Sequence, residues 1–353
     1  MINNSSPKSS RKRIIFQTEG SFEVGYGHLQ RSLSLAECLV NNFNVEADFI
    51  INSNDKSKEI IEEKGFKQVN YNFLDIACES NNNHNIKFFQ LNQISCLFID
   101  SLNSFNEKLI KEIKQTKVKI FSIDTNKNFR LFCDAIFFPP VPQIKKLKWD
   151  NFKGKLYIGW KWVPLRTEFL LKKDSVKYSK EIRKPVNILV SMGGSDPKNL
   201  TRFVLDSLLS SKLNLNISVI IGPDGRIEKL PISSSSVALN YYHNVSKMSE
   251  LIINHDIAII SYGLIAFEVA SLGLPSIHIC LSKDHAKSSS AFSSENMAIS
   301  LGYYLDISPE EIHNSIEKLI NDDNLREDIT SSCLKNIDAN GCLRIAKTIY
   351  SMI

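Results

Sequence analysis

No apolar run in this chain approaches the roughly 20 residues that a helix needs to cross a bilayer. Met1 to Ser10 are polar and lack the apolar stretch of a secretory signal. Cysteine is sparse and unpatterned, with seven residues at 38, 78, 96, 133, 280, 333 and 342, an odd count without close pairs. That argues against a disulfide framework and a thiolate zinc site, and it predicts reduced thiols in a cytoplasmic protein. His243, His255, His278, His285 and His313 show no metal-ligand spacing, so no metal is expected and these rings read as structural. His285 is the exception, because its loop follows a candidate strand. Neither sign of charge dominates: 43 basic and 38 acidic side chains leave a net +5. The one dense basic cluster, Lys8 to Arg13, reads as a solvated tail, and no aromatic-basic interleaving marks a nucleic-acid groove.

What the chain has is length and alternation. Its 353 residues suffice for two domains, each with its own core. Strands are expected at Arg13-Gln17, Ala47-Ile51, Cys96-Ile99, Lys119-Ile123 and Ala135-Phe138. Helices are expected at His28-Asn41, Ser57-Lys64 and Glu107-Gln115, with Asn81-Asn85 as an exposed loop. Strands alternating with helices imply a parallel sheet covered on both faces. A charged, proline-flanked stretch follows, and then the pattern restarts. Strands Val186-Val190, Ile217-Ile221, Ile257-Ile260 and Ser276-Cys280 alternate with helices Asn199-Ser210, Val245-Ile253, Ile265-Leu272 and Ser308-Asn321. The expected division is a disordered tail at 1–12, a Rossmann-like domain at 13–171, a linker at 172–185, a second α/β domain at 186–335 and a terminal helix at 336–353. Two such halves imply a cleft at the carboxyl ends of their strands.

The most informative local pattern is Gly25-Tyr26-Gly27-His28-Leu29-Gln30-Arg31-Ser32, which joins the first strand to the first helix. Glycines let the backbone turn tightly and approach a ligand. The positive end of the helix disfavours an imidazolium, so His28 reads as a neutral, basic ring at a phosphate-friendly loop. A histidine that merely caps or packs the turn is the alternative. In the second half, Gly193-Gly194-Ser195 offers backbone N–H groups and a hydroxyl to a diphosphate. The same segment also reads as a plain turn, with Asp196 as N-cap and Pro197 opening the helix. Gly222 and Gly263 end two further strands. Glu268 lies in a helix of apolar residues, where a buried carboxylate needs partners such as two ribose hydroxyls; a buried salt bridge or an exposed helix face is the alternative. Asp100 and Asp124 end strands where such sheets place working carboxylates, or loop caps.

Five segments in order resemble the PseG/SpsG nucleotide-sugar hydrolases, relatives of the MurG-like glycosyltransferases with the GT-B fold. They are the Gly25–Ser32 loop, Pro164-Leu165-Arg166-Thr167-Glu168-Phe169, Gly193–Thr201, Glu268-Val269-Ala270-Ser271-Leu272-Gly273-Leu274-Pro275 and Asp338-Ala339-Asn340-Gly341-Cys342-Leu343-Arg344. The resemblance implies a GT-B fold, α/β, with two Rossmann-like doubly wound domains and a last helix, near Arg344, that crosses back to the first. It implies removal of UDP from a 2,4-diacetamido-2,4,6-trideoxyhexose nucleotide in the synthesis of pseudaminic or related nonulosonic acids, with His28 as the base that activates water. No metal or cofactor is required. Gly25, Tyr26, Gly27, Arg31, Asp100 and Arg166 are then expected at the substrate. Gly193, Gly194, Ser195, Gly222, Gly263, Glu268, Asp284 and His285 are expected at the nucleotide.

The chain departs from the family pattern at Leu102, Thr125, Leu264-Ile265 and His285-Ala286, positions that bear on which sugar is taken. Two other readings use the same nucleotide site: a GT-B glycosyltransferase with a UDP-sugar donor, and a nucleotide-sugar-binding protein without turnover. The expected partner is a UDP-sugar, with no nucleic acid and no stable membrane insertion.

Overall fold

Ile14-Ile15-Phe16 lacks polar alternation because its strand is covered on both faces. The computed structural model describes residues 11–51, 55–69, 82–102, 105, 107–173, 182–211, 213–223, 236–243 and 245–353. The first half runs β1 (Lys12–Thr18), α1 (Gly27–Asn42), β2 (Val45–Ile51), α2 (Asp55–Glu63), β3 (Lys67–Gln68), α3 (Asn82–Leu91), β4 (Ile94–Asp100), α4 (Glu107–Gln115), β5 (Lys119–Ile123), β6 (Ala135–Phe138) and β7 (Lys155–Ile158). These strands form one parallel sheet in the order β3-β2-β1-β4-β5-β6-β7. Ile14 and Phe16 pack on one face with Leu29, Leu33, Ala36 and Leu39 of α1. Ile15 packs on the other with Leu97, Ile110 and Ile113.

The second half follows α5 (Thr167–Lys173). It runs β8 (Val186–Ser191), α6 (Leu200–Leu209), β9 (Leu215–Ile221), β10 (Val237–His243), α7 (Met248–Ile252), β11 (Ile257–Ile260), α8 (Leu264–Ser271), β12 (Ser276–Cys280), α9 (Lys283–Ser294), β13 (Ile299–Tyr303), α10 (Pro309–Asn321), α11 (Asp323–Asn336) and α12 (Gly341–Met352). Its sheet is also parallel, ordered β10-β9-β8-β11-β12-β13. In both sheets the chain reverses its direction of travel beside the first strand, between β1 and β4 and between β8 and β11. Such switch points open a crevice at the strand ends.

Four strands were not anticipated, β3, β7, β10 and β13, and each is a sheet edge. Edge strands are half-exposed, so they lack the continuous apolar run that marks a central one. Residues 82–85 belong to α3, not to the loop expected at Asn81-Asn85; Asn81 itself lies outside the described residues. So do Cys78, most of the expected tail and residues 174–181 of the expected linker. Among the described residues, no helix is long and apolar enough to cross a membrane. The six described cysteines are buried and unpaired.

The chain crosses between the sheets twice, and the crossings touch. Val163, Leu165 and Phe169 are buried in the second core, whereas Cys342, Ile345, Ala346 and Ile349 of α12 are buried in the first. Cys342 Sγ donates to the Leu165 carbonyl at 3.2 Å. Lys173 Nζ donates to the carbonyls of Leu334 and Ile337 at 3.1 and 3.0 Å. Gly341 lies so close to the Val163 backbone that a Cβ there would collide with it. Gly341→Ala is therefore expected to lower stability by about 1–3 kcal/mol. Urea unfolding of the two proteins would show it, and an unchanged midpoint would disprove the close contact.

Candidate active site

Asp100 ends β4 next to Thr18 of β1, and its side chain has no exposure to solvent. Its oxygens are fully engaged. His28 Nδ1 lies 2.6 Å from Oδ1, Arg31 Nη2 2.6 Å from Oδ1 and Arg31 Nε 2.6 Å from Oδ2. Ser32 Oγ adds a longer contact of 3.3 Å to Oδ2. Burial alone would raise the Asp100 carboxyl, but Arg31 and His28 overcome it and hold the group at about 2. An ionised carboxylate only accepts, so the imidazole proton is assigned to Nδ1 and the lone pair to Nε2. The helix spacing makes this possible, because His28, Arg31 and Ser32 lie on one face of α1's first turn.

Arg31 Nη1 continues to Asp124 Oδ2 at 3.3 Å, just past β5. Asp124 takes the left-handed region, with φ of 52°, to turn its carboxylate back into the site. Burial raises that carboxyl, against the pull of Arg31 and His28. Gly25 also needs a positive φ, 79°, and pairs with Ser21 in a short antiparallel bridge. Gly27 is different: its φ is ordinary, and a Cβ there would meet nothing within 4 Å. Nothing among the described residues requires glycine at 27.

Across the cleft, Gly193-Gly194-Ser195, Gly222 and Ser261-Tyr262-Gly263 follow β8, β9 and β11, three adjacent strands. A Cβ on Gly222 would strike the Gly194 backbone, and one on Gly194 would stand 3.3 Å from the Tyr26 ring. The two glycine loops therefore meet face to face, and Tyr26 is buried between them. Gly263 caps α8 with extended backbone and open space around it.

The helix after Gly194, expected at Asn199-Ser210, runs Leu200–Leu209. Pro197 does not open it: α6 starts at Leu200, with Asn199 at the cap position. Asp196 reaches forward instead, accepting from the N–H groups of Leu200 and Thr201 at 2.8 Å each. Those two donors are thereby taken.

Of the residues expected at the substrate, Gly25, Tyr26, Gly27, His28, Arg31 and Asp100 gather at the mouth of the first sheet, and Arg166 lies elsewhere. It and Glu268 are each other's partners, with Arg166 Nη2 2.9 Å and Nε 3.0 Å from Glu268 Oε1. Arg166 also pairs with Glu168 at 2.9 Å, and Glu168 Oε2 accepts from Ser249 Oγ. Burial raises the Glu268 carboxyl, and Arg166 opposes it. Asp284 and His285 open α9. There Gln143 of the first domain donates through Nε2 to Ser288 Oγ at 2.7 Å, the Asp284 carbonyl at 3.0 Å and Asp284 Oδ1 at 3.2 Å. No sequence signal could have found Gln143, which lies over 140 positions from its partners. His255, His278 and His313 each find partners within the second domain.

No family model matches the chain. It is similar to an uncharacterized protein of Methanocaldococcus jannaschii, 35% identical over 274 residues, or 74% of this chain and 54% of that protein. The chain thus spans about half the length of that relative. It is also similar to the spore coat polysaccharide biosynthesis protein SpsG of Bacillus subtilis, 22% identical over 353 residues, covering 95% of this chain and 96% of the relative. Among solved structures, MurG of Acinetobacter baumannii superposes with a TM-score of 0.69 at 12% identity, over 97% of this chain and 99% of that one. UDP-GlcNAc 2-epimerase of Neisseria meningitidis bound to UDP-GlcNAc gives 0.60 at 11% identity, over 96% and 100%. The fold is therefore GT-B.

The buried pairing at Asp100 has a pH signature. The folded carboxyl sits below the 3.8 of a free side chain, so its pairing stabilises the protein fully above about pH 4 and is lost as pH falls toward 2. Asp100→Asn leaves the Arg31 guanidinium buried without its main counter-charge, an expected cost of about 3–5 kcal/mol. Urea titrations of both proteins across that range test this: the gap should narrow in acid, and a pH-independent gap would sink the assignment.

Proposed function

We propose that the chain is a nucleotide-sugar hydrolase of the PseG/SpsG type, splitting a UDP-linked 2,4-diacetamido-2,4,6-trideoxyhexose, or a similar UDP-amino sugar, into UDP and free sugar. The observation that carries the reading is the His28–Asp100 pair at 2.6 Å, which leaves Nε2 of an oriented imidazole as the basic nitrogen. Nε2 takes a proton from water as the water oxygen bonds to the anomeric carbon. The bond from that carbon to the diphosphate oxygen breaks, and its electron pair leaves with UDP. Backbone N–H groups at Gly193-Gly194-Ser195 and near Gly263 meet the departing charge. Both Arg166 contacts fall on Oε1 of Glu268, and Oε2 is assigned to a ribose hydroxyl.

Likeness to SpsG over nearly its whole length supports a place in polysaccharide or nonulosonic acid synthesis. A neighbour of the same fold that holds UDP-GlcNAc supports UDP as the nucleotide. The buried thiols suit a reducing cytoplasm.

The deciding experiment is UDP release from a panel of UDP-sugars with no acceptor added. The hydrolase reading expects UDP and free sugar; release only with an acceptor would make this a transferase, and binding without release a carrier. His28→Ala should cut turnover by roughly 10²–10⁴-fold with UDP affinity unchanged. Lost UDP binding would instead assign the ring to the fold or the nucleotide. Glu268→Gln should weaken UDP binding several-fold, and unchanged affinity would remove its ribose role.

A further inference from the structure

We propose that Asp124 is a second catalytic residue, accepting a hydrogen bond from one proton of the attacking water while His28 Nε2 takes the other. The inference rests on the hydrolase reading above and says what selects water over an alcohol as the nucleophile.

Three observations carry it. The first is a shared anchor. Arg31 stands with Nη2 3.0 Å from His28 Nδ1 and with Nη1 3.3 Å from Asp124 Oδ2. The imidazole and the carboxylate therefore sit at neighbouring corners of one planar, charged fork. His28 Nδ1 is turned to Asp100, so Nε2 is the nitrogen that faces away from it.

The second is access. The Asp100 side chain has no exposure and both its oxygens are engaged, whereas the Asp124 side chain is 35% exposed and that of His28 18%. Tyr262 and His285 of the second domain are near enough for the Asp124 charge to act on them. The carboxylate thus borders the space where the two domains meet.

The third is proton affinity. At Asp124 burial raises the carboxyl against the pull of Arg31 and His28, and the Asp100 charge adds to the rise. At Asp100 the effect of burial is overcome, and the group is held at about 2. Of the two carboxylates, Asp124 keeps the greater affinity for a proton and accepts the stronger hydrogen bond from water.

With both protons held, a lone pair of the water oxygen is left for the anomeric carbon. As that bond forms, His28 takes one proton, and the bond to the diphosphate oxygen breaks with its electron pair leaving on UDP. The other proton stays on the new sugar hydroxyl, still hydrogen-bonded to Asp124.

The test measures products in water and in aqueous methanol. Its substrate is whichever of UDP-N-acetylglucosamine, UDP-N-acetylgalactosamine and the UDP-2,4-diacetamido-2,4,6-trideoxyhexoses the wild type turns over fastest. Methanol has one O–H, which His28 takes, and its methyl group needs no acceptor at Asp124. In Asp124→Asn the amide oxygen turns to Arg31 and N–H groups meet the water. Asp124→Gly removes the side chain and accepts the left-handed backbone, φ 52°, without strain. Either variant should lower kcat for hydrolysis by roughly 10–100-fold, with KM and UDP affinity unchanged. Either should also raise the ratio of methyl glycoside to free sugar several-fold, which a merely structural role would leave alone. Hydrolysis at the wild-type rate, an unchanged product ratio, or a raised KM with kcat intact would overturn the proposal. A wild type that forms no free sugar from any of these substrates would refute the hydrolase reading itself, and this inference with it.

Discussion

A carboxylate with no exposure to solvent stands at the centre of this molecule. Asp100 is tolerable at the end of a buried strand only because Arg31 and His28 supply donors to both of its oxygens. That requirement fixes the first turn of α1 against the end of β4, and with it the orientation of the His28 ring. It also sets Nδ1 of that ring against the carboxylate. The Arg31 contact to Asp124 extends the same network to β5, so two strand ends are tied to one helix face.

The second constraint is how the chain passes between its sheets. Residues before α5 are buried in the second core, and α12 returns to the first, where Gly341 lies against the Val163 backbone. The two sheets are thus joined by two adjacent crossings, and the glycine loops at their strand ends face each other. Tyr26 against Gly194, and Gln143 on the first turn of α9, bring groups of both domains into one space. Neither sheet alone assembles His28, Asp124, Tyr262 and His285.

Legibility from sequence followed burial. Central strands such as Ile14-Ile15-Phe16 and Ile257–Ile260 are covered on both faces, so their apolar runs mark them directly. The four unanticipated strands are all edges, where half of each strand meets solvent and the run breaks up. Ser-rich α9 gave no apolar periodicity, although its first turn carries His285. The pattern around Gly193 located the loop and the helix start to within a residue; what it did not show is that Asp196 reaches past Asn199 to cap the helix. Glu268 shows the same limit. Its apolar neighbours called for a partner if the face is buried, but whether the face is buried and what pairs with it were open, and Arg166 came from more than 100 positions away.

The sequence by itself determined the two parallel-sheet halves, the glycine loops at their strand ends and the identity of the histidine that opens α1. These are local facts, set by apolar runs, glycine and helix periodicity, which act over a few residues. Only the tertiary structure decided that Asp100 orients His28, that Arg166 holds Glu268, and that Gln143 brings His285 to the first domain. Each of those is a polar contact between distant segments. Its geometry depends on which strand ends lie side by side and on how closely the two domains approach, and no local pattern encodes either.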